Sequence, residues 1–190
     1  MREMGNDKEL ENLRSLLTPG ASVYVAGSAS EPKGIISLVE KNYASFRDIH
    51  WIQFPLGGIN KKDLSLLGAG SRLKTFFMSP FLKEGAAEGR VSFTPMHMRN
   101  IFDFLSNIDL DVAIFQAARD RDGVLRYGPN VDFLDAVKES ARHLIIEEKG
   151  AVDWVTMNRP DALNALNVEM VSELHDYFSG LYDRTDRRIV

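Results

Sequence analysis

The sequence predicts an α/β fold: a mostly parallel sheet with helices on both faces, followed by a C-terminal β-hairpin and helix. Three observations predict it. Short apolar runs alternate with helix-period segments through residue 146. Turn residues such as Thr18-Pro19-Gly20 and Asp120-Arg121-Asp122-Gly123 separate the runs. The pattern then changes after Leu144, where two strand-like runs flank Lys149-Gly150.

Taken in order, Leu10, Leu13, Leu16 and Leu17 recur at helical spacing until Pro19 and Gly20 stop them. Residues 22–26, Ser-Val-Tyr-Val-Ala, form the first strand candidate. Pro32 suits the first turn of the next helix, where its missing N–H costs nothing, and Ile35, Ile36 and Val39 share one face of that helix. Further strands are expected over 50–54, 73–78, 91–94, 111–117 and 143–148, and helices over 80–88, 99–106 and 131–142. The stripe of Phe76, Phe77, Phe81 and Phe93 reads as core, because such rings bury large apolar areas. After the hairpin, Arg159-Pro160 ends the second strand. Asn167 caps a helix with Met170, Val171, Leu174, Phe178 and Leu181 on its apolar face.

Composition excludes several functions. The 190 residues carry no cysteine, which rules out disulfides, thiolate metal sites and cysteine nucleophiles and favours a cytoplasmic protein. No stretch reaches the roughly 18 consecutive apolar residues of a membrane span. The net charge is −4, and Arg184, Arg187 and Arg188 are interleaved with Asp183 and Asp186, so no nucleic-acid partner is expected. His50, His143 and His175 lack ligand spacing, so no metal is expected. Gly68-Ala69-Gly70 has too few glycines for a dinucleotide loop.

Two loops that follow strands are candidate ligand contacts. Gly27-Ser28-Ala29 combines a tight turn with N–H groups exposed at a helix start. Pro95-Met96-His97 follows another strand, and His97 is a candidate proton donor. Parallel sheets bind ligands beyond the carboxyl ends of their strands, which is where both loops fall. The competing reading is an ordinary βα turn and a surface or capping histidine.

GASVYVAGSASEP, FFMSPFLKEGAAEGRVSFTPMHM and DVAIFQAARDRDGVLRYGPNVDFLDAVKESARHLII occur in that order. Together they resemble the N-terminal half of the acetyl-CoA hydrolase and CoA-transferase family, of the 4-hydroxybutyrate CoA-transferase type, over residues 10–146. Val124 and Arg126 stand where that family usually shows Tyr and Ser. GAVDWVTMNRPDALNALNVEMVSEL is similar to the start of the crotonase (enoyl-CoA hydratase/isomerase) family, over about residues 144–190. The resemblances imply a division at 1–146 and 147–190. They also imply a CoA thioester as substrate, with no covalently bound cofactor. The first implies that Gly27, Ser28, Ala29, Pro95 and His97 lie toward the substrate. The second implies the same for Asp161, Ala162 and Leu163 at the CoA end, against a plain helix-entry segment, which is favoured.

The resemblance also implies a glutamate nucleophile carried by a second half of the fold. Glu31, Glu84, Glu88 and Glu147 read instead as solvated faces, so no catalytic residue is assigned and the 190 residues alone are expected to be inactive. The alternatives are a subunit that needs a partner chain or forms a homo-oligomer, and the front of a bifunctional enzyme or its remnant. The expected small-molecule partners are an acyl-CoA and a carboxylate.

Overall fold

The computed structural model describes residues 3–120, 122–127, 131–149, 159–162 and 165–180. Helix α1 (Glu3–Leu16) leads into β1 (Ser22–Val25), α2 (Lys33–Lys41), β2 (His50–Gln53), β3 (Arg72–Thr75) and α3 (Lys83–Ala87). Then come β4 (Val91–Phe93), α4 (Met98–Ser106), β5 (Leu110–Arg119), β6 (Leu125–Arg126), α5 (Leu134–Ser140), β7 (Ala141–Lys149) and α6 (Val168–Ser179).

The strands lie in the order β4-β3-β2-β1-β5, every neighbour parallel, and β7 continues the sheet parallel to β5. Every parallel strand therefore opens its carboxyl end on the same edge. Strand β5 outruns β1 there, and its last residues pair antiparallel with β6 through Ala118–Arg126 and Arg119–Leu125.

Alternate residues of each strand fall into two cores. Val23, Val25, Trp51, Leu73 and Ile114 pack with Leu13, Leu17, Ile35 and Val39 of α1 and α2. Tyr24, Ile52, Ala113 and Phe115 pack with Ile101 and Leu105 of α4 and Leu134 and Val137 of α5. The sheet is thus covered on both faces, which its apolar strands require.

Four expectations need correction. Helix α5 ends at Ser140, and Ala141 and Arg142 already belong to β7, because Leu110 pairs with Ala141. Strand β6 adds a pairing that the sequence does not announce, because two residues carry no periodicity. Pro32 precedes α2 as its cap rather than entering its first turn. Of the phenylalanine stripe only Phe76 is core, edge-on to Phe104 at 5.7 Å, whereas Phe77, Phe81 and Phe93 are 47, 48 and 45% exposed. Phe77 lies just beyond β3, Phe81 in the 3-10 turn Pro80–Leu82, and Phe93 is the last residue of the edge strand β4.

The second hairpin strand, Leu163 and Leu181 lie outside the described residues. Within them, β7 runs on through Lys149, so a division at residue 146 falls inside a strand. Asn167 does cap α6, its side chain accepting from the Met170 amide at 2.9 Å. On the apolar face of α6 Met170 is buried, Leu174 is half-buried, and Val171 and Phe178 are exposed.

Candidate functional site

The carboxyl edge of the sheet is built from the segments after β1, β2, β3 and β4. The first of these, residues 26–32, is buried except for Ala29. A Cβ on Gly27 would lie 1.9 Å from the Phe54 carbonyl oxygen, so the glycine is required by the backbone that follows β2. Ser28 adopts a left-handed conformation, φ 52°, which a non-glycine residue holds only when its surroundings fix it.

Asn60 provides that fixation. Its Oδ1 accepts from the Ser28 amide at 2.7 Å and the Leu56 amide at 2.8 Å, and its Nδ2 donates to the Ser28 carbonyl at 3.1 Å. One side chain therefore ties the segment after β1 to the segment after β2.

Glu31 lies in the same assembly and corrects the sequence reading of a solvated face: it is buried, 3% exposed. Gln53 Nε2 donates to its carboxyl group at 3.4 Å, and Gln116 Nε2 donates to its backbone carbonyl. Burial raises the carboxyl above the usual range, while hydrogen bonds from Asn60 and Gln53 and the charges of Lys33 and Lys62 pull it down. The Oε1 atom of Gln53 is the one buried side-chain polar atom without a partner among the described residues.

Glu147 is also misread as a solvated face. From β7 its carboxylate accepts from the amides of Gly34 at 3.0 Å and Ile35 at 3.2 Å. It thus occupies the N-terminus of α2, where backbone N–H groups favour negative charge. A Cβ on Gly34 would meet that carboxylate at 2.6 Å. Sequence periodicity finds neither role, because the carboxyl partners lie on other segments: Glu31 receives Gln53, 22 residues away, and Glu147 receives Gly34, 113 residues away. Glu84 and Glu88 are exposed, as expected.

The other candidates are more open. Pro95 and His97 are exposed after β4; His97 is the N-cap residue of α4 through its backbone, with no side-chain capping bond. Strands β3 and β2 separate β4 from β1, so this segment and Gly27-Ser28-Ala29 share an edge but stand three strand spacings apart, about 14 Å. Asp161 and Ala162 form a 3-10 turn, Pro160–Ala162, with Asp161 exposed. Leu163 lies outside the described residues. Arg126, one of the positions that departs from the expected pattern, pairs with Asp120 at 2.9 Å across the β5–β6 turn. Arg119 pairs alongside it with Glu148 at 2.7 Å. Those residues therefore fasten the sheet edge.

Among the described residues no group of His, Asp and Glu is arranged to hold a metal ion. None of their helices is long and apolar enough to cross a membrane.

A family model described as "Acetyl-CoA hydrolase/transferase N-terminal domain" matches residues 7–175. No curated protein matches the chain. Solved structures that resemble it include a variant of the decarboxylase AibA/AibB, 18% identical, with a TM-score of 0.53 over 74% of this chain and 73% of that one. Glutaconate coenzyme A-transferase from Acidaminococcus fermentans gives a TM-score of 0.56 at 10% identity, over 74% of this chain and 65% of that one. A 4-hydroxybutyrate CoA-transferase from Porphyromonas gingivalis gives 0.48 at 17% identity, over 73% of this chain and 32% of that one. The chain thus spans about a third of that enzyme. The first two likenesses establish the fold, a mostly parallel sheet covered on both faces.

Proposed function

The chain belongs to the acetyl-CoA hydrolase/transferase family, and from that premise we propose that it is a substrate-side domain of an acyl-CoA-handling protein. Its ligands are an acyl-CoA thioester and a carboxylate, and it carries no covalently bound cofactor. Ala29 and the Pro95–His97 segment face the ligand, with Gly27 and Ser28 beneath Ala29 shaping the loop. The observation that carries this reading is the family match over residues 7–175. The nucleophilic glutamate belongs to another half of the fold. Both buried or bonded glutamates of this edge, Glu31 and Glu147, are engaged in holding structure. The 190 residues alone bind CoA and do not exchange it. A thiol-release and CoA-exchange assay of the purified chain, alongside calorimetric titration with CoA, tests both statements. Robust turnover by the chain alone, or no CoA binding at millimolar concentration, counts against it.

Partner contact is the natural completion, through a second copy or a chain bearing the glutamate. Large apolar side chains stand exposed on the segments after β3 and β4, Phe77, Phe81 and Met98 among them, and such surfaces are usually covered. The absence of cysteine supports a cytoplasmic location.

A second reading concerns residues 147–190 as the start of a crotonase domain. The dense Asn158-Arg159-Pro160 and Asn164-Ala165-Leu166 run favours it, as does the capped helix that follows. Asp161, Ala162 and Leu163 then lie at the CoA end. The intact mass of the protein from its native source tests this: a mass well beyond that of 190 residues supports a bifunctional enzyme.

A further inference from the structure

We propose that Asn60 is a positioning residue for ligand: its amide group sets the direction of the peptide between Ser28 and Ala29, and so the face that Ala29 turns to an acyl-CoA. The ligand clause rests on the reading of this edge as the ligand side; the hold on the peptide does not. The segment after β1 is pinned at its two ends from β5. The Ala26 amide donates to the Ile114 carbonyl at 2.9 Å, and Gln116 Nε2 donates to the Glu31 carbonyl. Its middle is pinned from the other side, by Asn60. An amide side chain carries an acceptor oxygen and N–H donors in one plane. Asn60 uses both on a single residue: Oδ1 accepts from the Ser28 amide at 2.7 Å, and Nδ2 donates to the Ser28 carbonyl at 3.1 Å. Oδ1 also accepts from the Leu56 amide at 2.8 Å, which seats Asn60 on its own segment after β2.

The described peptide bonds are all trans, so the N–H of each peptide points opposite to its C=O. The Ser28 carbonyl points at Asn60, which is 1% exposed, and the N–H that Ala29 contributes to the same peptide therefore points away from that buried side chain. Ala29 is the exposed residue of the segment 26–32. The backbone of Ser28 at φ 52° opposes this arrangement in a serine and would not oppose it in a glycine. When the bonds from Asn60 are lost, the serine relaxes toward negative φ and the peptide turns, while the ends of the segment stay on β5. A glycine at residue 28 populates the left-handed region without help. The need for Asn60 thus depends on there being a side chain at residue 28.

Hydrogen exchange and CoA titration of the parent, Asn60→Ala, Ser28→Gly and the double variant test this. In Asn60→Ala, protection of the Ser28 and Leu56 amides falls by about tenfold or more. Protection of the Ala26 and Leu73 amides, bonded to Ile114 and Arg90, does not fall. Asn60→Ala weakens CoA binding about tenfold in the parent background and less than about threefold in a Ser28→Gly background. An Asn60 that only supports the fold would cost the same in both. Where Asn60→Ala does not fold, the isosteric Asn60→Asp takes its place. It keeps both acceptors for the amides and loses only the donor to the Ser28 carbonyl, and its loss of CoA affinity again shrinks in the Ser28→Gly background. Equal losses of CoA affinity in the two backgrounds overturn the proposal, as does unchanged Ser28 and Leu56 protection in a folded Asn60→Ala. A parent that binds no CoA refutes the functional reading and the ligand clause with it, and the exchange arm then decides the hold on the peptide by itself.

Discussion

The two halves of the carboxyl edge solve the same problem in opposite ways. At and after the ends of β1 and β2 the chain buries polar groups, Ser28, Ser30, Glu31, Gln53 and Asn60, and pairs Ser28 with Asn60 and Gln53 with Glu31. After β3 and β4 it leaves large apolar groups in solvent, Phe77, Phe81, Phe93 and Met98. Buried polar networks specify one arrangement when their members are satisfied. Exposed rings specify nothing until something covers them. The first half is thus held largely by the chain itself, with Gln53 Oε1 its one unpartnered buried atom among the described residues, and the second leaves its large side chains half exposed.

The largest test of this contrast lies within the second half. Phe76→Ala removes a ring that is 3% exposed and packed against Phe104, and is expected to cost about 3–5 kcal/mol. Phe81→Ala and Phe93→Ala, at nearly half exposure, are expected to cost under about 1 kcal/mol each. Urea denaturation of the three variants measures the gap. Equal losses would mean that the exposed rings are already part of the core, and the contrast would collapse.

A smaller effect probes the first half. Gly27→Ala places a methyl group 1.9 Å from the Phe54 carbonyl oxygen, and that atom is backbone and moves only with β2. The expected loss is about 2–3 kcal/mol. Gly57→Ala, whose Cβ meets nothing within 4 Å, is the control and is expected to be nearly neutral. A neutral Gly27→Ala would show that the two segments slide freely and are not one body.

Much of this was legible in the sequence, and the failures are instructive. The alternation of apolar runs located every strand of the parallel sheet, most plainly the central β1 and β5, which are buried almost throughout and must be apolar. Asn167 as a helix cap was legible because capping acts over three residues. Gly27 reads in sequence as part of a ligand-contact loop, and in the structure its missing side chain makes room for the Phe54 carbonyl. The solvated-face reading fails at Glu31 and Glu147 because their carboxyl groups bond Gln53 and Gly34 from other segments, and no local pattern encodes such pairings. The exposed phenylalanines were misread because composition says how apolar a residue is and not where its covering layer stops.

Asp132 extends the comparison to the opposite face of β1, with the smallest expected effect. Like Glu31 it is a carboxyl raised by burial, here to about 6, but among the described residues its side-chain hydrogen bond is a long one from Tyr24 Oη, 3.5 Å. A carboxyl whose pKa is higher in the folded state than in the unfolded chain binds its proton more tightly when folded. Its stabilising contribution is complete below about pH 4 and is lost as pH rises through about 6. The full rise corresponds to about 3 kcal/mol; the group is only half-buried, and screening reduces this to about 1–2 kcal/mol. Asp132→Asn removes the charge and keeps a residue that tolerates the left-handed backbone, φ 48°. The variant is therefore expected to match the parent at pH 4 and to exceed its stability by about 1–2 kcal/mol at pH 7. Other carboxylates titrate in both proteins, so the quantity to follow is the difference between their unfolding free energies at each pH. A difference that stays constant from pH 4 to pH 8 would mean that Asp132 is solvated as an ordinary surface carboxylate, and that Glu31 alone carries a buried acid beside β1.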